Sequence, residues 1–124
     1  MVLVDTSVWV DHLTRGQAQL AALLHEGQVV CHPFVIGELA CGHVRNRREI
    51  LGLLATLPQA RVAEHDELLR FVEQHQLSGR GLGWVDVHLL GGAFLSSCRL
   101  WTHDKALREA ARALRIAADQ FHER

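Results

Sequence analysis

"MVLVDTSVWVDHL", residues 1–13, opens with an apolar run, Val2-Leu3-Val4, that ends on an aspartate. A wholly apolar run this short fits a β-strand buried on both faces, as in a parallel sheet covered by helices. Asp5, Thr6 and Ser7 follow, residue types that favour loops and caps. A helix is expected from Ser7 to about Leu13, with Thr6 or Ser7 as its cap. One question decides what the protein is for: why a buried strand should end on a carboxylate.

The same strand-then-helix pattern recurs down the chain. Gln17 to His25 reads as a helix with Leu20, Leu23 and Leu24 on one face and Gly27 just beyond its end. Gln28 to Cys31 is a second buried strand, and Pro33 starts a helix reaching to about Arg45. Arg48 to Leu57 is another helix, stopped by Pro58. Ala60 to Ala63 is expected as a third strand, and Asp66 as the cap of a helix running to Gln76. After the glycine-rich "SGRGLG", residues 78–83, comes the apolar helix Trp84 to Ser96. Arg99 to Thr102 is a strand, Asp104 to Leu114 a helix, and Arg115 to Ala117 a last short strand. Strands alternating with helices predict a parallel sheet of about five strands, covered on both faces. Right-handed crossovers put the strand C-termini on one edge, and in open α/β sheets that edge carries the site.

The 124 residues suit one domain, read here as a single unit over 1–124 with no repeat or linker. An apolar content of 48% supports a packed core. The formal charge of −1 excludes a global basic field for nucleic acid, so any such contact rests on a local cluster. Twelve of the thirteen basic residues are arginine, the better fork for phosphate oxygens. No secretory signal is visible, and the longest apolar stretch, Leu89 to Leu95, is too short to cross a bilayer. The expectation is a soluble, cytoplasmic protein with no membrane contact. Cys31, Cys41 and Cys98 are odd in number and are expected to be reduced and mostly buried. The "CH" at 31–32 and "CGH" at 41–43 match no standard zinc spacing.

Four acids stand out. Asp5 and Asp104 lie at or just past strand C-termini, so both point to the same edge. Glu38, in "HPFVIGELACG", and Asp86, in "GLGWVDVHLLGGAFL", sit among apolar or small residues on helices. Each has a local role available to it. Asp5 and Asp104 can cap the helices that follow, and Asp86 can face a helix dipole. Glu38, mid-helix on an apolar face, is the hardest to explain locally. A buried carboxylate needs a partner charge or a metal. No lysine or arginine lies within five residues of Asp5, Glu38 or Asp86. A divalent cation is the natural counter-charge, and an all-oxygen set suits Mg²⁺ or Mn²⁺ rather than zinc.

With these residues in view, the chain resembles the PIN-domain ribonucleases. "LVDTSVWVD", "PFVIGELACG", "GLGWVDVHLLGGA" and "LWTHDKALREAA" look like the four motifs of that family, in order, from Met1 to about Ala117. The likeness is to the VapC-type toxins of bacterial toxin–antitoxin pairs. It implies a three-layer α/β/α sandwich and an acidic metal site made of Asp5, Glu38, Asp86 and Asp104. It also implies Mg²⁺- or Mn²⁺-dependent endonucleolytic cleavage of RNA, a homodimer, and a small antitoxin whose tail covers the site. One departure is His103, where family members often carry arginine or asparagine; this bears on substrate preference.

On that reading Thr6, Ser7 and Thr102 are candidate donors that orient carboxylate oxygens. Arg80, flanked by glycines ahead of the Asp86 helix, and Arg45 are the candidate RNA contacts. Trp9, Val10, Leu13, Trp84, Leu89 and Phe94 are mostly core, with some left for a dimer or partner surface. Two rivals are a metal-dependent phosphatase and a non-catalytic RNA-binding domain on the same fold. Haloacid-dehalogenase-type phosphatases want a second aspartate where Ser7 stands. A receiver-like signalling module wants a phosphoacceptor that is absent here.

Overall fold

A computed structural model describes residues 1–121. The central strand is β1 (Val2–Val4), with β2 (Val29–Val30) and β3 (Arg99–Trp101) parallel on either side in the order β2-β1-β3. Val2 pairs with Val29 and Arg99, Leu3 with Val30 and Leu100, and Val4 with Trp101. All three residues of β1 are buried, as a strand covered on both faces requires.

Among the described residues, seven helices flank the sheet in a three-layer α/β/α arrangement: α1 (Thr6–Arg15), α2 (Ala18–His25), α3 (Pro33–Ala40), α4 (Arg47–Thr56), α5 (His65–Gln74), α6 (Trp84–Leu95) and α7 (Lys105–Ala113). A 3-10 turn over Asp119–Phe121 sets Phe121 against Trp101, ring centroids 4.8 Å apart.

The expected third and fifth strands shrink to single parallel bridges at the two sheet edges, Cys31 with Gln59 and Leu100 with Ala117. Pro58 has no N–H to give a ladder, and the Arg61 N–H turns to Ser96 Oγ at 3.0 Å. At the other edge Arg115 adopts φ +62°, which bends the chain just before it reaches β3. The expected α3 end near Arg45 is also too late. The helix stops at Ala40, and Asn46 turns the chain at φ +53° into α4. Helix α5 begins at His65 rather than after an Asp66 cap, with Glu67 reaching back to the Glu64 N–H at 3.3 Å.

A buried histidine joins the helices that carry two of the acids. His32 is fully buried, and its Nδ1 accepts the Phe34 N–H at 2.9 Å, capping α3. Its ring packs on Gly92 of α6, where an added Cβ would lie 3.1 Å from His32 Cδ2 and 3.0 Å from the Arg61 carbonyl. Gly92→Val is expected to destabilise by about 1–3 kcal/mol through overpacking. Gly52→Ala, on an exposed face of α4 with nothing near its Cβ, is expected to stabilise by about 0.5–1 kcal/mol. Thermal melts of the two variants check this; a Gly92→Val protein as stable as wild type would overturn the packing argument.

Candidate active site at the strand C-termini

Parallel strands followed by helices bring Asp5, Asp104 and the first turns of α1, α6 and α7 to one edge. Asp5 follows β1, and its backbone N–H donates to the Trp101 carbonyl at 2.9 Å, continuing the ladder. Asp5 is the residue before α1, yet its side chain caps nothing. Instead Oδ2 accepts two hydroxyls, Ser7 at 2.8 Å and Thr102 at 2.7 Å. Thr102, fully buried, also accepts the Asp104 N–H at 3.0 Å, and Ser7 accepts the His103 N–H at 3.0 Å. Two small hydroxyls thus tie the end of β3 to the start of α1 around one buried carboxylate.

The other three acids divide their oxygens in the same way. Asp104 Oδ2 accepts the Leu107 N–H at 2.8 Å and caps α7. Asp86 Oδ2 accepts the Gly83 N–H at 2.9 Å in the first turn of α6. Glu38 Oε1 accepts the Thr6 hydroxyl at 2.5 Å, which links α3 to α1. Local capping therefore holds for Asp86 and Asp104, and it uses one oxygen of each. Among the described residues no donor reaches the second oxygen of any of the four carboxylates, and no arginine, lysine or histidine forms an ion pair with them.

Burial of these acids differs from the sequence expectation. Glu38, expected on a buried face, is exposed, as is Asp104; Asp86 is half-buried and only Asp5 is buried. The apolar neighbours of Glu38 misled, because Val35 and Leu39 face the core while Glu38, about a quarter turn round the same short helix, is exposed. Burial pushes the Asp86 carboxyl above the usual carboxylate range; the Gly83 N–H opposes this, and the negative charges of Asp104 and Asp5 add to it. That mutual repulsion places the three aspartates in one electrostatic neighbourhood. Glu38 joins it through Thr6.

The donor set fits a hard divalent cation: oxygen only, four carboxylates, each with an oxygen not engaged by the protein. Among the described residues no three acidic, imidazole or thiol side chains converge into a ready-made metal cluster. Mg²⁺ sites with one or two direct carboxylates and several retained waters do not need one.

Arg80 is exposed in the glycine loop, where Gly79 and Gly81 adopt φ +75° and +80°. The Cβ position of Gly81 lies 3.7 Å from Ala106 Cβ, so the loop rests on the first turn of α7, beside Asp104. Arg45 is exposed and rims a groove lined by Val10, Leu13, Leu39 and Val44. His88 is buried against Phe34 and Trp84, at 4.4 and 5.1 Å between ring centroids, on a different face from Asp86. Cys31 and Cys98 are buried and Cys41 is exposed; all three are free thiols.

Sequence reasoning missed one cluster beside the site. Arg15 forms an ion pair with Asp11 Oδ1, with Nε at 2.8 Å, and His103 Nε2 lies 3.5 Å from Asp11 Oδ2. The signal was present as the i, i+4, i+8 spacing of Ser7, Asp11 and Arg15, one stripe on α1.

Residues 2–113 of the chain match the model of the PIN domain family. The chain belongs to the PIN-domain family. It is 51% identical over 111 residues to the protein named Ribonuclease VapC32 of Mycobacterium tuberculosis, in the strains CDC 1551 / Oshkosh and ATCC 25618 / H37Rv. That span is 89% of this chain and 90% of each relative.

Proposed function

We propose that this chain is a divalent-metal-dependent endoribonuclease of the VapC type, the toxin of a toxin–antitoxin pair. One observation carries the reading: four carboxylates at one edge, each anchored by one oxygen and offering the other, with no ion pair to them among the described residues. Asp5 and Asp104 would hold Mg²⁺ or Mn²⁺ directly, and Asp86 would hold the same ion or a second one, with retained waters filling the remaining positions. When bound, the ion supplies a nucleophilic water at neutral pH and neutralises charge on the phosphate oxygens. Ser7 and Thr102 fix the orientation of the Asp5 carboxylate, as outer partners of metal ligands do. Thr6 holds Glu38 in the same way, and Glu38 would ligate through water or take the proton from the attacking water. Arg80 and Arg45 would hold the RNA backbone with salt-dependent affinity.

The domain is read as a single nuclease unit over 1–124, cytoplasmic and homodimeric. Among the described residues no helix is long and apolar enough to cross a membrane. Phe71, Phe94 and Leu95 line one surface groove, and Phe94 is 40% exposed; such apolar surface supports contact with a second copy or a small antitoxin. A phosphatase reading is disfavoured by Ser7. It stands where the second aspartate is needed, and its hydroxyl is spent on Asp5.

The test is incubation of the purified chain with RNA in Mg²⁺ or Mn²⁺ and in EDTA, alongside p-nitrophenyl phosphate. RNA is expected to be cut endonucleolytically only with the metal, and the small ester left intact. Ester hydrolysis without RNA cleavage would replace the nuclease reading with the phosphatase.

A further inference from the structure

The cluster missed by sequence reasoning borders a cleft of about 480 Å³ lined by Asp11, Arg15, Gly16, Gln17 and His103. That volume is in the range of small-molecule ligand pockets, roughly 300–1,000 Å³. The cleft begins one residue from Asp104. His103 is held from two sides through its backbone: its N–H donates to Ser7 Oγ, and its carbonyl accepts from Arg108 Nη2 at 3.5 Å. Its imidazole is therefore aimed along α1, toward Asp11.

The ion pair there differs from an ordinary surface pair. The Asp11 side chain is 15% exposed, whereas that of Arg15 is 79% exposed. The acid is sheltered beneath two donors, and the guanidinium faces outward. Arg15 bonds through Nε and Nη2, so Nη1 remains directed at solvent. An exposed ion pair alone contributes little to stability, typically about 0–1 kcal/mol. As a way of holding a planar cation at a fixed place beside a nuclease centre, it has clear use: a pre-set fork loses less freedom on meeting a phosphate.

We propose that Arg15 and His103, both held by Asp11, form a subsite for the nucleotide next to the scissile bond, with Arg15 on its phosphate and His103 donating to phosphate or sugar. The assignment rests on the ribonuclease reading above and adds to it. RNA approaching four carboxylates meets repulsion over its whole backbone. The outward guanidinium of Arg15, in the cleft that His103 also lines, offsets it along that approach. His103 thereby becomes a residue that tunes substrate fit.

The experiment measures binding of a fluorescein-labelled single-stranded RNA by anisotropy, in Mg²⁺, across a salt series. The host is Asp5→Asn, to suppress cleavage. Adding Arg15→Ala should weaken binding about fivefold to tenfold, and should make the log K against log salt slope shallower by about 0.7, the value for one phosphate contact on a single strand. Adding His103→Ala should weaken binding severalfold at neutral pH with little change in slope. Arg112→Ala is the matched control, since Arg112 also sits in a last helical turn and pairs with an acid, Asp119, at 2.8 Å. It should change neither. Unchanged affinity and slope in both test variants, or an equal loss with Arg112→Ala, would overturn the subsite. Continued cleavage by the Asp5→Asn host would instead overturn the assignment of the catalytic edge, so the two failures are distinguishable.

Discussion

Asp5→Asn is expected to lower metal-dependent RNA cleavage by about a thousandfold or more, the scale of loss for a group at the centre of a catalytic unit, with the fold intact. Asparagine keeps an oxygen to accept the Ser7 and Thr102 hydroxyls that Asp5 Oδ2 accepts at 2.8 and 2.7 Å. The knot between β3 and α1 therefore survives. What changes is the outward atom, from a carboxylate oxygen to an amide NH₂ that cannot ligate a cation. Asp5→Ala is a worse test. It leaves both hydroxyls near Asp5 without their acceptor, and an unsatisfied buried polar group costs about 1–3 kcal/mol. Rates with Mg²⁺, read beside near-UV circular dichroism, decide the matter. A folded Asp5→Asn protein that cleaves within tenfold of wild type would remove Asp5 from the centre of the reaction.

Asp86→Asn should combine a loss of activity, on the order of a hundredfold, with a gain in stability when no divalent ion is present. Burial, helped by the charges of Asp104 and Asp5 and opposed by the Gly83 N–H, raises the folded-state pKa of Asp86. Between the ordinary aspartate value, about 3.9, and that raised value, the folded chain holds more protons than the unfolded one. Stability then falls as pH rises, and above the folded value the full cost of the buried charge is present. Asparagine accepts the Gly83 N–H but never ionises. In EDTA at neutral pH its melting temperature should exceed wild type, and the advantage should fade as pH is lowered toward the aspartate range. Mg²⁺ should close the gap from the other side, because an ion bound at a hundred times its Kd stabilises the wild type by about 2.7 kcal/mol. An Asp86→Asn protein that melts below wild type in EDTA would show the carboxylate to be a structural cap rather than a charge held for a cation.

Much of the architecture was legible one segment at a time. Val2 to Val4 is apolar throughout, and it is a buried central strand. Pro33 marks the first turn of α3, and the helix boundaries around α1, α2, α6 and α7 fall within a residue or two of their sequence signals. The outer strands were overestimated, since Ala60 donates to the Cys31 carbonyl but the next N–H, of Arg61, goes to Ser96 Oγ and the ladder ends there. Asp5 and Asp104 stand beside strand ends and Glu38 and Asp86 on helices, where their spacing puts them, but their burial differs from the expectation. Neighbour composition does not report which way a helical side chain points on a helix as short as α3.

From the sequence alone came the alternation that dictates a parallel sheet, the edge where strands end in Asp5 and Asp104, and the absence of lysine or arginine within five residues of Asp5, Glu38 and Asp86. These depend on local spacing, which the chain carries wherever it folds. Only the tertiary structure decided that Thr102 meets Asp5 across 97 residues, that Thr6 rather than a cation holds Glu38, and that Asp11 meets His103 beside Asp104. Those contacts follow from packing α1 against the end of β3 and against α3. No window of sequence contains both partners, so no local rule assigns them.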